Sequence, residues 1–374
     1  MRQWLKNVFR LGAKELASFM ADKVLLGLII YCFTLSIYEV ATGVETGVKN
    51  ATVAIVDNDH SILSSRIAQG LLPPEFGRTV LMDRSQVDAA MDAGEVTFSL
   101  DLPSRLEADL LRRHEPIVQL NIDATAMTQA GLGSVYVQSI IQRETAALLT
   151  PALETAQPIT LVTRALFNPN LESMWFQSVM EVIRSVTILS ILLVGAAVIR
   201  EREHGTIEHL LVMPVTASEI AAAKIWANGL VILLAVGLSL LLVVQIMLDV
   251  PIHGSIPLFL GGTALYLFAT TSLGILLATV TRSMPQFGLL AIPVFLVLDL
   301  LSGSTTPVES MPDGLQTVLQ ASPTVHFVKL AQSILFRGAG VETVWPQMLL
   351  LAGLGFVFLM VALSQFRSML ARSQ

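Results

Sequence analysis

The sequence predicts an α-helical integral membrane protein with six transmembrane helices and an extracytoplasmic α/β domain inserted between the first and second. Three observations carry this. Of 374 residues, 53% are hydrophobic and 14% charged, and mean hydropathy is +0.67, a profile of the membrane class. Several apolar runs are of the order of the roughly 20 residues that cross about 30 Å of hydrocarbon. Between the first two runs lies a stretch of ordinary soluble composition in which short strands alternate with helices.

Residues 1–23 read as an amphipathic helix at the cytoplasmic interface. Arg2, Lys6, Arg10 and Lys14 recur every four residues and share one face. Trp4, Leu5, Val8, Phe9, Leu16, Phe19 and Met20 fill most of the other. Such a helix lies in a leaflet with its cations toward anionic headgroups, which makes membrane lipids a partner. The alternative is a signal that only sets insertion orientation. The first transmembrane helix, 24–44, is longer than a signal peptide's core and lacks a small-x-small cleavage site, so a retained anchor is expected.

The spans are Val24–Val44, Trp175–Ile199, Ile220–Leu248, Ile256–Val280, Gln286–Ser304 and Trp345–Phe366. Residues 174–374 thus form a five-helix region, with a cytoplasmic loop at 200–219 and an outer loop at 302–344. Placing both termini in the cytoplasm puts Arg2 to Lys23, Arg200, Arg202, Lys224, Arg282, Arg367 and Arg372 inside together, as the positive-inside rule requires. Asp249–Ser255 then lies outside with no lysine or arginine, and Ser302–Val344 carries only Lys329 and Arg337.

The inserted domain spans 45–173. Strands are expected at Thr52–Val56, Thr79–Met82, Val96–Leu100, Val118–Ile122 and Ile159–Ala165. Helices are expected from a Ser61 cap to about Leu72, from a Ser85 cap to near Gly94, over Ser104–Arg113 and over Met127–Leu149. His60 and His114 are isolated, and a turn explains Asp57 and Asp59 better than a metal site does. The domain's acidic balance argues against nucleic-acid binding. Cys32, the sole cysteine, lies in the first span, so no intrachain disulfide is available.

The segment Arg200 to Pro214 is the most informative. The second span is expected to end at Ile199, with Arg200 and Arg202 at the headgroups and Glu201, Glu203 and Glu208 as exposed acids. Gly205 permits a sharp reversal. Thr206 caps a short helix, Ile207–Met213, that shows Leu211 on its apolar side and stops at Pro214. Thr216 then opens the next helix, with Glu219 completing a capping box. A stiff helix held between two spans transmits force, although a turn that merely closes a helical hairpin would use similar residues.

Glu201-Arg-Glu-His-Gly-Thr-Ile-Glu-His-Leu-Leu-Val-Met-Pro214, followed by Ser218 to Lys224, resembles the signature of ABC-2 type transporter permeases. The layout of a surface helix, one span, an external domain opening Val53-Ala-Ile-Val-Asp-Asn-Asp59, and five further spans resembles the bacterial drug-efflux-like branch, as does Asn168-Pro169. The resemblance implies a bacterial inner-membrane permease that pairs with a second permease subunit, a copy or a paralogue, and is clasped by cytoplasmic ABC ATPase subunits. It also implies that Glu201, Arg202, Glu203, His204, Gly205, Thr206, Glu208, Leu211 and Pro214 form the coupling contact. A periplasmic adaptor and an outer-membrane channel are further partners in that branch. No Gly-x-x-x-x-Gly-Lys-Ser/Thr loop is present, so ATP and Mg belong to the partner ATPase and this chain binds no cofactor of its own.

Ionisable residues within spans are functional candidates by default. Glu181 and Arg184 are three apart and can pair on one face, as a brace or as a gate. Asp299 stands alone in the fifth span and either lines a wet cavity or caps the helix break before Ser302–Pro312, a re-entrant or surface loop. Phe176, Met180, Phe287 and Phe295 offer an apolar path for a greasy substrate, or ordinary helix packing. The expected activity is ATP-driven export of an amphipathic or hydrophobic, drug-like compound. Export of a glycan or lipid-linked polymer, or a membrane-anchored scaffold without transport, are the alternatives.

Overall fold

In the computed structural model, residues 2–43, 50–123, 127–149, 167–168, 172–203, 215–304 and 306–372 are described. They fall into two compact units, Val44–Arg164 and a second made of Met1–Gly43 with Ala165–Gln374.

The second unit opens with α1 (Arg2–Ala21), then α2 (Lys23–Phe33) and α3 (Leu35–Gly43). Asp22 caps α2 by accepting from the N–H groups of Val24 and Leu25. The first expected span is therefore two helices, because the ladder breaks at Thr34. The Thr34 hydroxyl turns back to the Ile30 carbonyl, and Ser185 of the next span donates to the Cys32 carbonyl at 3.2 Å. A hydroxyl on one span thus bonds a main-chain oxygen beside the break in the other.

In the Val44–Arg164 unit, β1 (Ala51–Asp57), α4 (Ile62–Gly70), β2 (Phe76–Leu81), α5 (Arg84–Asp92), β3 (Phe98–Leu102), α6 (Leu106–Leu111), β4 (Gln119–Ile122) and α7 (Met127–Leu149) follow in order. The sheet runs β2-β1-β3-β4. β1 is parallel to both neighbours, and β4 is antiparallel to β3. Val53, Ile55, Phe98 and Leu100 of the central strands are buried against Leu63 and Ile67 of α4 and Val137 of α7. Helix α5 begins at an Asp83 cap, two residues before the expected Ser85, because Gln86 closes a capping box there. Ile159–Ala165 lies outside the described residues.

Asp57 accepts from the backbone N–H groups of Asp59 and His60 and from the Ser64 hydroxyl. Asp59 accepts from the Glu107 N–H at 3.1 Å. Burial pushes the Asp59 carboxyl up, but the Ser61 hydroxyl and the N–H groups of Glu107, Arg105 and Leu106 outweigh it and hold it below the usual range. A lowered folded pKa gives stability that is present above the unfolded pKa and lost as pH falls through the folded value. Hydrogen exchange should therefore show the amides at 105–107 opening more readily in Asp59→Ala than in wild type at pH 7, with the difference vanishing once the pH falls below the lowered folded value of Asp59. A difference that persists in acid would exclude this ionic origin.

The second unit continues with α8 (Ser173–Glu203), α9 (Ala217–Ser239) extended by a π-helical turn (Leu240–Met247), α10 (Ile256–Val280), α11 (Met284–Leu300), α12 (Asp313–Leu319), α13 (Pro323–Ala331) with a π turn (Gln332–Phe336), and α14 (Val341–Arg372). Five of the described helical stretches are long and apolar enough to cross a membrane: Lys23–Gly43, Ser173–Glu203, Ala217–Met247, Ile256–Val280 and Val341–Gln365. The expected span Gln286–Ser304 corresponds to α11, an apolar helix of 17 residues, about 26 Å at 1.5 Å per residue.

Helix α8 is buried through most of its length, and of its neighbours α10 packs most extensively against it. Gly274 makes that approach feasible: a Cβ there would lie 2.7 Å from the Ile191 carbonyl oxygen. Backbone cannot swing aside as a flexible side chain can, so Gly274→Ala should cost about 1–3 kcal/mol and lower the detergent unfolding midpoint. An unchanged midpoint would mean that the two helices separate freely. Between the same pair, Thr187 and Tyr266 share a 2.6 Å hydrogen bond and Ser190 donates to Thr270 at 2.7 Å. These buried hydroxyls are satisfied across helices in a setting where water is scarce.

Within the expected outer loop 302–344, beyond the irregular stretch Ser302–Pro312, the chain forms helices that sequence reading does not assign. Helix α13 is buried along most of its length. Phe327 stacks on Tyr266 with centroids 4.1 Å apart and on Phe259 at 5.7 Å. The chain leaves the end of α11, turns through Gly303 at a positive φ of 86°, and inserts α13 against α10 and α14. Its apolar face lies in the core of the unit rather than over it.

Candidate functional site

Helix α8 does not stop at Ile199; it continues to Glu203. Its last turn carries the acidic-basic-acidic triplet directly before His204, and each side chain of the triplet has an identified partner. Glu201, expected as an exposed acid, is half-buried and bonds the Lys224 ammonium at 3.0 Å. Lys224 bonds Glu15 of α1 at the same distance, and its own side chain is only 2% exposed. Arg202 donates to the Thr281 carbonyl at 2.6 Å, and Glu203 accepts from the Met284 N–H at 2.8 Å. Arg200 reaches Asp22, the cap of α2, at 3.7 Å. One turn of α8 is therefore tied to α1, α2, α9 and the 281–284 connection at once.

Local sequence explains why these partners meet. On α1, Val8, Gly12 and Phe19 are buried, while Arg2, Lys6, Arg10 and Lys14 are exposed. Gly12 lies flat on the Trp226 indole, Phe9 stacks on the same ring with centroids 5.8 Å apart, and the indole N–H donates to the Val8 carbonyl. A side chain at position 12 would lift α1 off α9. Asn7 then donates to Glu219 at 2.9 Å, on the carboxylate that also accepts from the Thr216 N–H in the capping box of α9. Sequence reading found the triplet and the box. It missed Glu15, Lys224 and Trp226 as one contact, because no spacing rule joins residues some two hundred positions apart.

His204, Gly205, Thr206, Glu208, Leu211 and Pro214 lie outside the described residues, as does the expected helix Ile207–Met213. What the structure presents is the root of that segment: Glu201, Arg202 and Glu203 on one side, and Thr216 with Glu219 on the other.

A second polar cluster lies at the opposite end of α8. Arg184 Nε contacts both Asp299 carboxylate oxygens, at 3.1 and 3.2 Å, and its Nη1 bonds Glu181 at 3.1 Å. Glu181 also accepts from Ser36 of α3 at 2.8 Å. Asp299 is thus not alone. It completes an acid-base-acid bridge from α3 through α8 to α11. The pairing expected within α8 is there, but sequence spacing could not reveal its third member. Glu201 is roughly 20 residues further along α8, about 30 Å away at 1.5 Å per residue.

Of the expected apolar path, Met180, Phe287 and Phe295 are buried in the helix core, with Phe287 pressed on Gly195. Phe176 is half-buried, stacks on Phe336 at 6.2 Å and borders a cavity of about 590 Å³. Among the described residues, no cluster of three or more His, Cys, Asp or Glu is arranged to hold a metal ion.

Long apolar helices, ion-paired charges at their ends and a separate α/β unit define a multi-pass helical membrane protein. The model of the ABC-2 family transporter protein matches residues 24–364, and the chain belongs to that family. It is similar to the inner membrane transport permease YhhJ of Escherichia coli (strain K12), with 50% identity over 364 residues and 97% of each chain covered. It is also similar to two probable multidrug ABC transporter permeases of the same organism. YbhR is 27% identical over 346 residues, covering 91% of this chain and 92% of that one. YbhS is 26% identical over 330 residues, covering 87% and 85%. The chain is therefore an ABC-2 permease, a membrane transport subunit, and its family implies an ABC transporter in which the ATPase is a partner.

Proposed function

We propose that this permease forms the translocation pathway of a drug-efflux-like exporter and that residues 201–214 receive the ATPase stroke. The observation that carries this is the tethering of the last turn of α8, where Glu201, Arg202 and Glu203 bond α9, the end of α10 and the start of α11. A push on the segment beyond Glu203 would act on several spans together instead of bending one loop.

In this reading six spans cross the inner membrane, α11 completing its crossing through the turn at 301–304. Both termini face the cytoplasm, and the 45–173 domain lies outside, where it meets a periplasmic adaptor leading to an outer-membrane channel. Two permease chains, identical or paralogous, carry two ATPase subunits that bind ATP and Mg. The cargo is amphipathic or hydrophobic. The relatives named as probable multidrug permeases support that class.

Co-purification with the ATPase and ATP-driven export from vesicles test the proposal. Glu203→Ala, which removes the acceptor of the Met284 N–H, and Gly205→Pro should each cut transport at least about tenfold, equivalent to about 1.4 kcal/mol of lost coupling, with membrane insertion intact. Normal transport in both variants would exclude this segment as the coupling element.

A further inference from the structure

At the end of α8 away from the triplet, the 590 Å³ cavity is walled by the 302–304 turn, α13 with its π turn, and α14. A second cavity of about 250 Å³ shares Phe176, Gln332 and Arg337 with it. The two differ in character. The smaller is aromatic, with Trp175, Phe176 and Phe336 in its wall. The larger is polar, with Ser302, Gln332 and Gln347 and with two cations, Lys329 and Arg337, against one carboxylate, Glu309.

Its charge balance is positive. Lys329 is held only loosely by Glu309, at 3.7 Å with that carboxylate 75% exposed, and such a pair contributes little. Among the described residues no carboxylate lies within ion-pair distance of Arg337. Gln347 Oε1 is buried beside the same space without a hydrogen-bond partner, a group that costs free energy until a donor reaches it.

We propose that this two-part cavity binds an amphiphile bearing a phosphate-like anionic head. Arg337 and Lys329 take the anion, Gln347 accepts a head-group hydroxyl, and the Trp175–Phe176–Phe336 wall covers the adjoining apolar chain. Lysine and arginine are scarce throughout 302–344, yet both that this stretch carries line one cavity. Arg337 sits where the aromatic and polar halves join, which is where the head of an amphiphile would meet its chain. The site deepens the exporter reading by assigning a cargo chemistry, and it rests on that reading only for what becomes of the ligand.

Calorimetric titration of the permease in neutral-lipid nanodiscs, with empty discs subtracted, tests it using octyl phosphate, inorganic phosphate and octyl glucoside. Octyl phosphate should bind saturably, inorganic phosphate at least about tenfold more weakly, and octyl glucoside without saturation. Arg337→Gln with Lys329→Gln should weaken octyl phosphate at least about tenfold, the scale of losing a charged hydrogen bond, and Phe176→Ala should weaken octyl phosphate while leaving inorganic phosphate unchanged. Equal binding by wild type and the double variant, or by octyl phosphate and octyl glucoside, would overturn the anion site. Equal binding of inorganic and octyl phosphate would overturn the amphiphile. No ATPase enters the titration, so failed coupling in the export assay and failed binding here are separate results.

Discussion

Lys224→Met should lower the unfolding free energy of the permease by about 2–3 kcal/mol, and restoring it should require removing two acids, not adding a base. The Lys224 ammonium lies between Glu15 and Glu201, 3.0 Å from each. Losing one member of a buried ion cluster costs more than the cluster is worth, because the remaining charges stay desolvated. The estimate sits below the full buried-pair cost because the two glutamates are about a fifth exposed. Methionine keeps the length and apolar stem of lysine, so packing in this buried position is largely preserved. The triple variant Glu15→Gln, Lys224→Met, Glu201→Gln should return to within about 1 kcal/mol of wild type. Thermal unfolding of purified protein in neutral detergent reads both. If the single variant is as stable as wild type, the cluster is solvated and does not hold α1 to the spans. If the triple variant is stable but transport is lost, the charges serve motion more than folding.

That cluster also marks the limit of what the sequence makes legible. Apolar runs of twenty residues are read from composition, and Thr216 with Glu219 are read from spacing, because both depend on neighbours along the chain. Four of the five expected strands of the α/β unit are found for the same reason, and the start of helix α5 is displaced by two residues where Asp83 outcompetes Ser85 as a cap. The break at Thr34 is harder to foresee. No proline lies between Val24 and Val44, its glycines at 27 and 43 are away from the break, and the exposed carbonyl is answered by Ser185 on another span. Helix α13 was hidden for a related reason. Sequence reading places an irregular loop at Ser302–Pro312 and goes no further along the outer segment, yet Pro323 sits in the first turn of α13, where its missing N–H costs nothing. The apolar residues Val325, Phe327, Val328, Leu330, Ala331, Ile334 and Leu335 that follow were the available signal.

The exposed basic face of α1 and its buried Gly12–Trp226 contact show two levels of information in one helix. Arg2, Lys6, Arg10 and Lys14 follow directly from a period of four and stay on the outside. Gly12 has no pattern to announce it, since its role is to leave room for a ring on α9. Asp299 is the same case inside the membrane. A lone acid in an apolar helix demands a partner, but which cation supplies it depends on packing.

A double-mutant cycle on Arg184 and Asp299 should give a coupling energy of about 1–3 kcal/mol, the range for residues in one charge network. Arg184→Gln leaves Glu181, whose side chain is 7% exposed, facing Asp299 with only the Ser36 hydroxyl for support. The single variant should therefore lose about 2–3 kcal/mol. Asp299→Asn should lose less, because Arg184 retains Glu181. Combining them should cost less than their sum, since the uncompensated acid at 299 has gone. Arg184→Lys separates a brace from a mere counter-charge: Nε and Nη1 face different carboxylates at fixed angles, and an ammonium cannot reproduce that fork. Full stability in Arg184→Lys would make the cluster a simple neutralisation. Strict additivity in the cycle would remove the bridge between α8 and α11 altogether. The brace reading further expects export to fall in proportion to stability across the set, whereas a gate would show transport defects in variants, such as Asp299→Asn, that unfold almost normally.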